Sequence, residues 1–281
     1  MKHWDCVAIV GVGLIGGSIG LALRNRGLAK QVIGIGRDTA KLQQAMQSGA
    51  VTRTTTDLNE GVAAADLVIV CTPVDSIVRY VRQAAAACPA GALLTDAGST
   101  KAEIVNALAS GLPVGVSYIG SHPIAGSEKT GAAHATADLF EGRTVVLTPT
   151  EQSPADKVDQ LRNFWSSLGA TVHVMTPEAH DAALAASSHL PHLVAASLAG
   201  ATELDVLPLT AGGWRDTTRV AAGSPELWTQ IIGQNRTNIL ASLARFEESL
   251  SALRSALETK DDRRLTELLT EAKRVRDAVG S

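Results

Sequence analysis

The sequence predicts an α/β chain, a doubly wound and mostly parallel sheet covered by helices on both faces, followed by an all-helical part. Three observations carry this. Apolar β-branched runs alternate with helix-period stretches through the first 175 residues. The run Leu67-Val68-Ile69-Val70-Cys71 is apolar throughout, as a strand buried on both faces must be. After Thr176-Pro177, a capping residue followed by proline at the first helical position, no strand pattern recurs.

Taken in order, the strand candidates are residues 6–10, 32–35, 67–71, 93–96, 118–121, 144–147 and 172–175. Helical stretches at 14–26, 39–48, 76–87 and 101–109 lie between them. Ser224-Pro225-Glu226 repeats the cap-then-proline signal and opens a long helix. Its Leu243, Phe246, Leu250, Leu253 and Leu257 recur at helical spacing and form an apolar stripe. A last helix covers about residues 263–279. The expected division is therefore 1–175 and 176–281. A helical part of that size buries little by itself, so the stripe reads as a dimerisation face or as the core of a monomeric cap.

Composition narrows the function classes. Aromatic residues are only 3%, so the core is built from Ala, Val, Leu and Ile. A net charge of −3 gives no electrostatic reason to expect nucleic acid or a membrane surface. Cys6, Cys71 and Cys88 are an odd number without a close pair, and read as small apolar residues in a reducing compartment rather than as disulfides or metal ligands. The N-terminus runs directly into the first strand, leaving no room for a signal peptide, and no apolar run reaches the ~18 residues that span a bilayer. A cytoplasmic protein is expected.

Gly11-x-Gly13-x-x-Gly16 follows the first strand and opens the first helix. Glycine at these points allows a sharp turn, close approach of a pyrophosphate, and tight packing of helix on strand. The helix N-terminus, from Leu14 and Ile15 onward, offers free N–H groups to phosphates. A dinucleotide is thus the expected cofactor. The second strand ends Gly36-Arg37-Asp38. Where an acidic residue would hold a ribose 2′-hydroxyl, Gly36 leaves space for a 2′-phosphate and Arg37 can pair with it. Asp38 either turns back to a 2′-hydroxyl or caps the next helix. NADP is favoured over NAD on this reading. Cys71-Thr72-Pro73, after a later strand, falls at the nicotinamide side of the same crevice.

Three further blocks carry polar chemistry. In Asp96-Ala97-Gly98-Ser99-Thr100-Lys101, the Ser99 hydroxyl either faces the crevice and a substrate, or Ser99 or Thr100 caps the next helix. His122, in Ser121-His122-Pro123-Ile124-Ala125-Gly126-Ser127-Glu128, sits just past a strand and has the ordinary pKa of a general base for an alcohol. His189 and His192, in His189-Leu190-Pro191-His192, lack a third metal ligand and read as hydrogen-bonding groups for substrate or as core histidines. Arg215 and Arg219 follow the Gly212-Gly213 pair. A guanidinium fork matches a carboxylate, so Arg219 is a candidate anion binder, whereas Arg215 has Asp216 beside it as a structural partner.

Together the glycine motif, Asp96-x-x-Ser99-x-Lys101, the His122-to-Glu128 block, and His189-to-His192 with Arg215-to-Arg219 resemble the prephenate/arogenate dehydrogenase family of tyrosine biosynthesis. The blocks span residues 7 to about 228; Ser121 stands where glycine commonly precedes the histidine. The resemblance implies a Rossmann-type domain and an all-α dimerisation domain forming a homodimer. It implies NAD- or NADP-dependent oxidation of the ring 4-hydroxyl of prephenate or arogenate with loss of CO₂, yielding 4-hydroxyphenylpyruvate or tyrosine. By that resemblance His122 and Ser99 are catalytic, His189, His192, Arg215 and Arg219 bind substrate, and Glu128 gates the pocket. The alternatives are a 3-hydroxyacid dehydrogenase and a non-catalytic NADP-binding sensor. Glu178 to Leu198 contains neither the Lys nor the Asn that the former uses, and a sensor needs no base.

Overall fold

The computed structural model describes residues 3–126 and 131–280. They divide into two compact units, 1–235 and 236–281. The sequence boundary near residue 176 falls inside the first unit.

The first unit begins with β1 (Trp4–Val10), α1 (Leu14–Asn25), β2 (Ala29–Ile35), α2 (Thr39–Gln47), β3 (Arg53–Thr55), α3 (Leu58–Val62), β4 (Leu67–Val70), α4 (Val74–Ala87), β5 (Leu93–Asp96), α5 (Ala102–Leu108) and β6 (Ser117–Tyr118). The six strands form one parallel sheet in the order β3-β2-β1-β4-β5-β6. Side chains alternate across it. Val7, Ile9, Ile69 and Leu93 enter one core, while Ala8, Val10, Val70 and Leu94 enter another on the opposite face. All four residues of β4 are buried, as an apolar run covered by helices on both sides requires. The chain winds outward from β1 to β3, then returns to β4 beside β1. That reversal opens a crevice at the carboxyl ends of β1 and β4.

Next come β7 (Gly120–Pro123), β8 (Thr144–Thr148), α6 (Ala155–Ser167) and β9 (Thr171–Val174). Here the structure corrects the expectation of one continuous sheet. The strand expected at 118–121 breaks at Ile119, whose N–H still bonds Leu94. β6 stays beside β5, but β7 turns into a separate three-stranded sheet, antiparallel to β8, with β9 parallel to β8. Strand periodicity reports a pleat, not the sheet it joins. β3, only three residues long, is also absent from the sequence reading.

The unit ends with α7 (Pro177–Leu184), a π-helical turn (Ala185–His189), α8 (Leu190–Gly200), α9 (Gly212–Thr218), a 3₁₀ turn (Arg219–Ala222) and α10 (Pro225–Gln234). Thr176 caps α7 through Ala179, and Ser224 caps α10 through Leu227, so both cap-then-proline signals mark real helix starts. The segment Pro177–Gly200 is long and apolar enough, by length and composition, to cross a membrane. The sequence reading expected no such stretch; the π-helical turn joins two shorter helices into it. It carries the buried polar side chains His180, Asp181, His189 and His192.

The second unit holds α11 (Arg236–Glu258) and α12 (Asp262–Asp277). The single long helix expected from Pro225 is thus two, interrupted at Asn235, whose ψ of 23° leaves the helical region. Leu250 and Leu257 of the apolar stripe are 50% and 63% exposed, so much of that face is uncovered within the chain.

Candidate active site

The glycine loop separates three functions among three positions. Gly11 has φ of +94°, and a Cβ there would stand 2.7 Å from the Cys71 carbonyl oxygen. At Gly16 a Cβ would meet the Gly11 carbonyl oxygen at 2.2 Å and Ile9 at 2.9 Å, so α1 could not close on β1. A Cβ on Gly13 would meet nothing within 4 Å. Gly13 therefore is not needed for packing, and its open side leaves room for a ligand against the backbone. Gly13 precedes α1 with no side-chain cap, and the first turn carries no acidic residue. The N–H groups and positive end of α1 are left to an anion. These residues fit a dinucleotide pyrophosphate.

A cleft of about 790 Å³ runs along these strand ends, lined by Gly11, Gly13, Gly36, Arg37, Thr72 and Pro73 among others. Arg37 is exposed at the cleft, whereas Asp38 turns away. Its Oδ1 accepts the N–H groups of Ala40 and Lys41 at 3.0 and 3.2 Å, so it caps α2. Thr72 shares a hydrogen bond with Ser76 at 3.0 Å. Cys71 is free, and burial followed by the nearby Asp96 charge pushes its thiol pKa up, away from a reactive thiolate.

Past β5, the Asp96 carboxylate is fully buried and fully engaged. The Lys101 ammonium, also at 0% side-chain exposure, pairs with Oδ2. Gly98 N–H donates to Oδ2 at 2.8 Å, and Tyr118 Oη and Ser121 N–H donate to Oδ1 at 2.7 and 3.3 Å. A buried pair survives only with its remaining sites satisfied, and this network satisfies them. It also fixes β7, since the Ser121 hydroxyl donates to the Asp96 carbonyl at 2.5 Å. The serine that replaces glycine before His122 is therefore a tie between the two sheets. Neither Ser99 nor Thr100 caps α5, correcting that alternative. Asp181 does so from α7, accepting Lys101 N–H at 2.8 Å and Ala102 N–H at 2.9 Å. Thr100 donates to Gln234 at 2.6 Å. Ser99 is half-buried, and its hydroxyl makes no hydrogen bond among the described residues.

His122 sits on β7 at 9% exposure. Its Nδ1 lies 2.9 Å from Nε2 of His180, whose Nδ1 lies 2.7 Å from Asp181 Oδ1. Burial alone would push the Asp181 pKa up. The hydrogen bonds from His180, Ala102 N–H and Lys101 N–H outweigh it and hold the carboxyl below its ordinary value. His122 is driven well below the usual imidazole value, first by burial and then by His180, Lys101 and His189. It is neutral at physiological pH.

A second branch leaves the same aspartate. Asn235 Nδ2 donates to the Asp181 backbone carbonyl at 2.7 Å and lies 3.1 Å from His189 Nδ1. An amide NH₂ only donates, so His189 Nδ1 accepts and its proton sits on Nε2. That Nε2 is buried and has no partner among the described residues. Burial is the main cause that pulls the His189 pKa down to about 4, against the attraction of Asp181. His192 stacks on Trp228, ring centroids 3.6 Å apart at 11°, and its Nδ1 is likewise buried without a partner. Burial lowers its pKa, opposed by a hydrogen bond to the Val220 backbone. That bond brings the turn bearing Arg219 beside His192. Arg215 on α9 and Arg219 are both exposed. Glu128 lies outside the described residues.

The structure thus joins His122, His189 and His192 through residues that motif reading passed over: His180, Asp181, Asn235 and Trp228. Their spacing gave little signal. Only the adjacent His180-Asp181 pair, polar on the buried face of an apolar helix, marks itself out.

A crevice that fits a pyrophosphate, and a buried imidazole held by a His180–Asp181 pair, agree with comparisons to known proteins. Residues 19–174 match the family model "Prephenate dehydrogenase, nucleotide-binding domain", and residues 176–271 match "Prephenate dehydrogenase, dimerization domain". Prephenate dehydrogenase of Bacillus subtilis is 35% identical, covering 98% of this chain and 76% of its own. The structure of A. aeolicus prephenate dehydrogenase in complex with hydroxyphenyl propionate and NAD⁺ superposes with a TM-score of 0.90 at 31% identity, covering 98% of both chains. Synechocystis arogenate dehydrogenase superposes with a TM-score of 0.80 at 32% identity, covering 98% of this chain and 99% of its own. With both halves matched by its two domain models, the chain belongs to the prephenate dehydrogenase family.

Proposed function

We propose that this chain oxidises the ring hydroxyl of prephenate or arogenate and releases the ring carboxylate as CO₂. The observation that carries this reading is His122, buried and neutral, with its Nδ1 already held by His180 and its Nε2 left for a substrate. A bound nicotinamide dinucleotide supplies the hydride acceptor. Gly11, Gly13, Gly16, Leu14 and Ile15 would hold its pyrophosphate, and Cys71, Thr72 and Pro73 would flank its nicotinamide end. His122 Nε2 takes the hydroxyl proton as the alcohol carbon becomes a carbonyl, while the Ser99 hydroxyl bonds the same oxygen. The resulting dienone bears the carboxylate on its saturated γ carbon, placed as in a vinylogous β-keto acid. Loss of CO₂ sends the electron pair into the ring, and an aromatic phenolate results. The gain in aromaticity makes the step effectively irreversible.

The other substrate-binding assignments are His189 Nε2–H and His192 as hydrogen-bonding groups, Arg219 as the carboxylate fork, Arg215 as a further cation, and Glu128 as a gate. Support for NADP over NAD comes from Arg37 at the cleft and from Asp38 being engaged as a helix cap. The division at residue 176 into a nucleotide-binding part and a helical part, homodimerisation through the uncovered stripe, and a cytoplasmic location complete the proposal. Initial rates with prephenate or arogenate, each with NAD⁺ or NADP⁺, test it. Reduced-nucleotide absorbance and CO₂ release in at least one combination are expected; their absence in all four overturns it.

A further inference from the structure

The hydroxyl proton removed at His122 has a destination in the structure. Resting on the proposed role of His122 as base, we propose that His180 and Asp181 form a proton store behind it, which takes the proton during oxidation and returns it to the phenolate. The geometry assigns each hydrogen. Asp181 accepts two backbone N–H groups at the start of α5 and is therefore a carboxylate. A carboxylate only accepts, so His180 carries its proton on Nδ1. With His180 neutral, its Nε2 is a lone pair and accepts from His122 Nδ1–H at 2.9 Å. His122 Nε2 is then a lone pair, the tautomer a base requires.

The transfer balances. The substrate O–H breaks and an N–H forms at His122 Nε2. The His122 Nδ1–H breaks and an N–H forms at His180 Nε2, giving a His180 imidazolium against the Asp181 carboxylate. When CO₂ leaves, the phenolate oxygen takes a proton back from His122 Nε2, His180 returns its proton to His122 Nδ1, and no net proton is released. The positive charge is better placed on His180 than on His122. His122 faces the Lys101 ammonium and His189, whereas His180 touches Asp181 directly. The Lys101 charge is itself matched by Asp96, which Tyr118 and Ser121 also contact. His180 is thus a positioning residue: it touches His122, and acts only through it.

The test is a double-mutant cycle on the full chain with prephenate or arogenate, whichever is turned over. His180→Gln can accept from His122 Nδ1–H but cannot take its proton. It is expected to lower kcat about tenfold or more with KM and nucleotide affinity nearly unchanged. In a His122→Asn background the same change should alter kcat less than about twofold, because residues acting as a unit are non-additive. ¹⁵N-imidazole NMR of the wild-type protein, independent of any His180 variant's folding, should find resting His122 protonated at Nδ1. Additive losses or a resting His122 protonated at Nε2 would overturn the store. Full activity in His122→Asn alone would instead overturn the underlying base assignment.

Discussion

Asp181 Oδ1 accepts the backbone N–H of Lys101 at 2.8 Å across eighty positions of sequence. The same carboxylate holds His180, and its backbone carbonyl holds Asn235. One residue therefore caps α5 and sets the hydrogen bonding of two buried imidazoles in opposite senses. His122 is left with an acceptor, His189 with a donor.

Asp181→Ala is accordingly expected to cost stability as well as turnover. It removes a helix cap and leaves two N–H groups of a buried helix start unpaired, a loss of about 2 kcal/mol or more. Asp181→Asn, which retains one acceptor oxygen, should lose less. Urea unfolding of both variants checks the order. A wild-type midpoint for Asp181→Ala would show that water replaces the cap without cost.

Stability should also fall as pH drops from about 6.5 toward 4. His189 binds its proton at about 4 when folded, below the ordinary value of 6.5, so in that window the unfolded chain holds more protons. Protons then favour unfolding, and the His189 contribution, present above pH 6.5, is lost on acidification. The full shift corresponds to roughly 3 kcal/mol. Comparing urea unfolding of wild type and His189→Gln at pH 7 and pH 4.5 isolates it from the carboxylates. Equal pH slopes for the two proteins would contradict a depressed His189.

Gly13→Ala and Gly16→Ala should fail in different ways. The first adds a methyl group to open space, so melting should be nearly unchanged while nucleotide affinity falls about tenfold or more. The second drives a Cβ into the Gly11 carbonyl and should destabilise the fold by more than about 2 kcal/mol. Calorimetry with and without nucleotide separates the two. Tight nucleotide binding by Gly13→Ala would remove that glycine from the pyrophosphate site.

For cofactor choice, Gly36→Asp combined with Arg37→Ala should turn preference from NADP⁺ toward NAD⁺. A guanidinium–phosphate pair is worth roughly 1.5–3 kcal/mol, about tenfold to a hundredfold in affinity. A Cβ at Gly36 would stand 3.3 Å from Leu42, a contact that a flexible leucine tip can relieve. Titration of each nucleotide against wild type and variant reads the effect. A wild type that already prefers NAD⁺ tenfold would leave Arg37 a surface charge.

What the sequence reveals follows the range of the forces involved. The glycine loop, the apolar strand β4 and the cap-then-proline helix starts are local, each set by residues a few positions apart, and all were readable. The switch of β7 into a second sheet was not, because it depends on Ser121 bonding Asp96 and on the break at Ile119. The break at Asn235 was hidden for the same reason: its amide is drawn inward by Asp181 and His189, far away in sequence. His122 could be named from its motif, but the His180-Asp181 pair that sets its tautomer lies on a different element and emerges only when α7 packs against α5.

The π-helical turn between α7 and α8 inserts one extra residue into an otherwise regular helix. A single added residue rotates everything downstream by about 100°. Ahead of the turn stand His180 and Asp181, and at its end and beyond stand His189 and His192. A regular helix without that extra residue would present those two pairs to different neighbours. Deletion of one alanine from Ala185-Ala186 would therefore turn His189 and His192 by about 100° relative to His180 and Asp181 and dismantle the cluster at a single stroke.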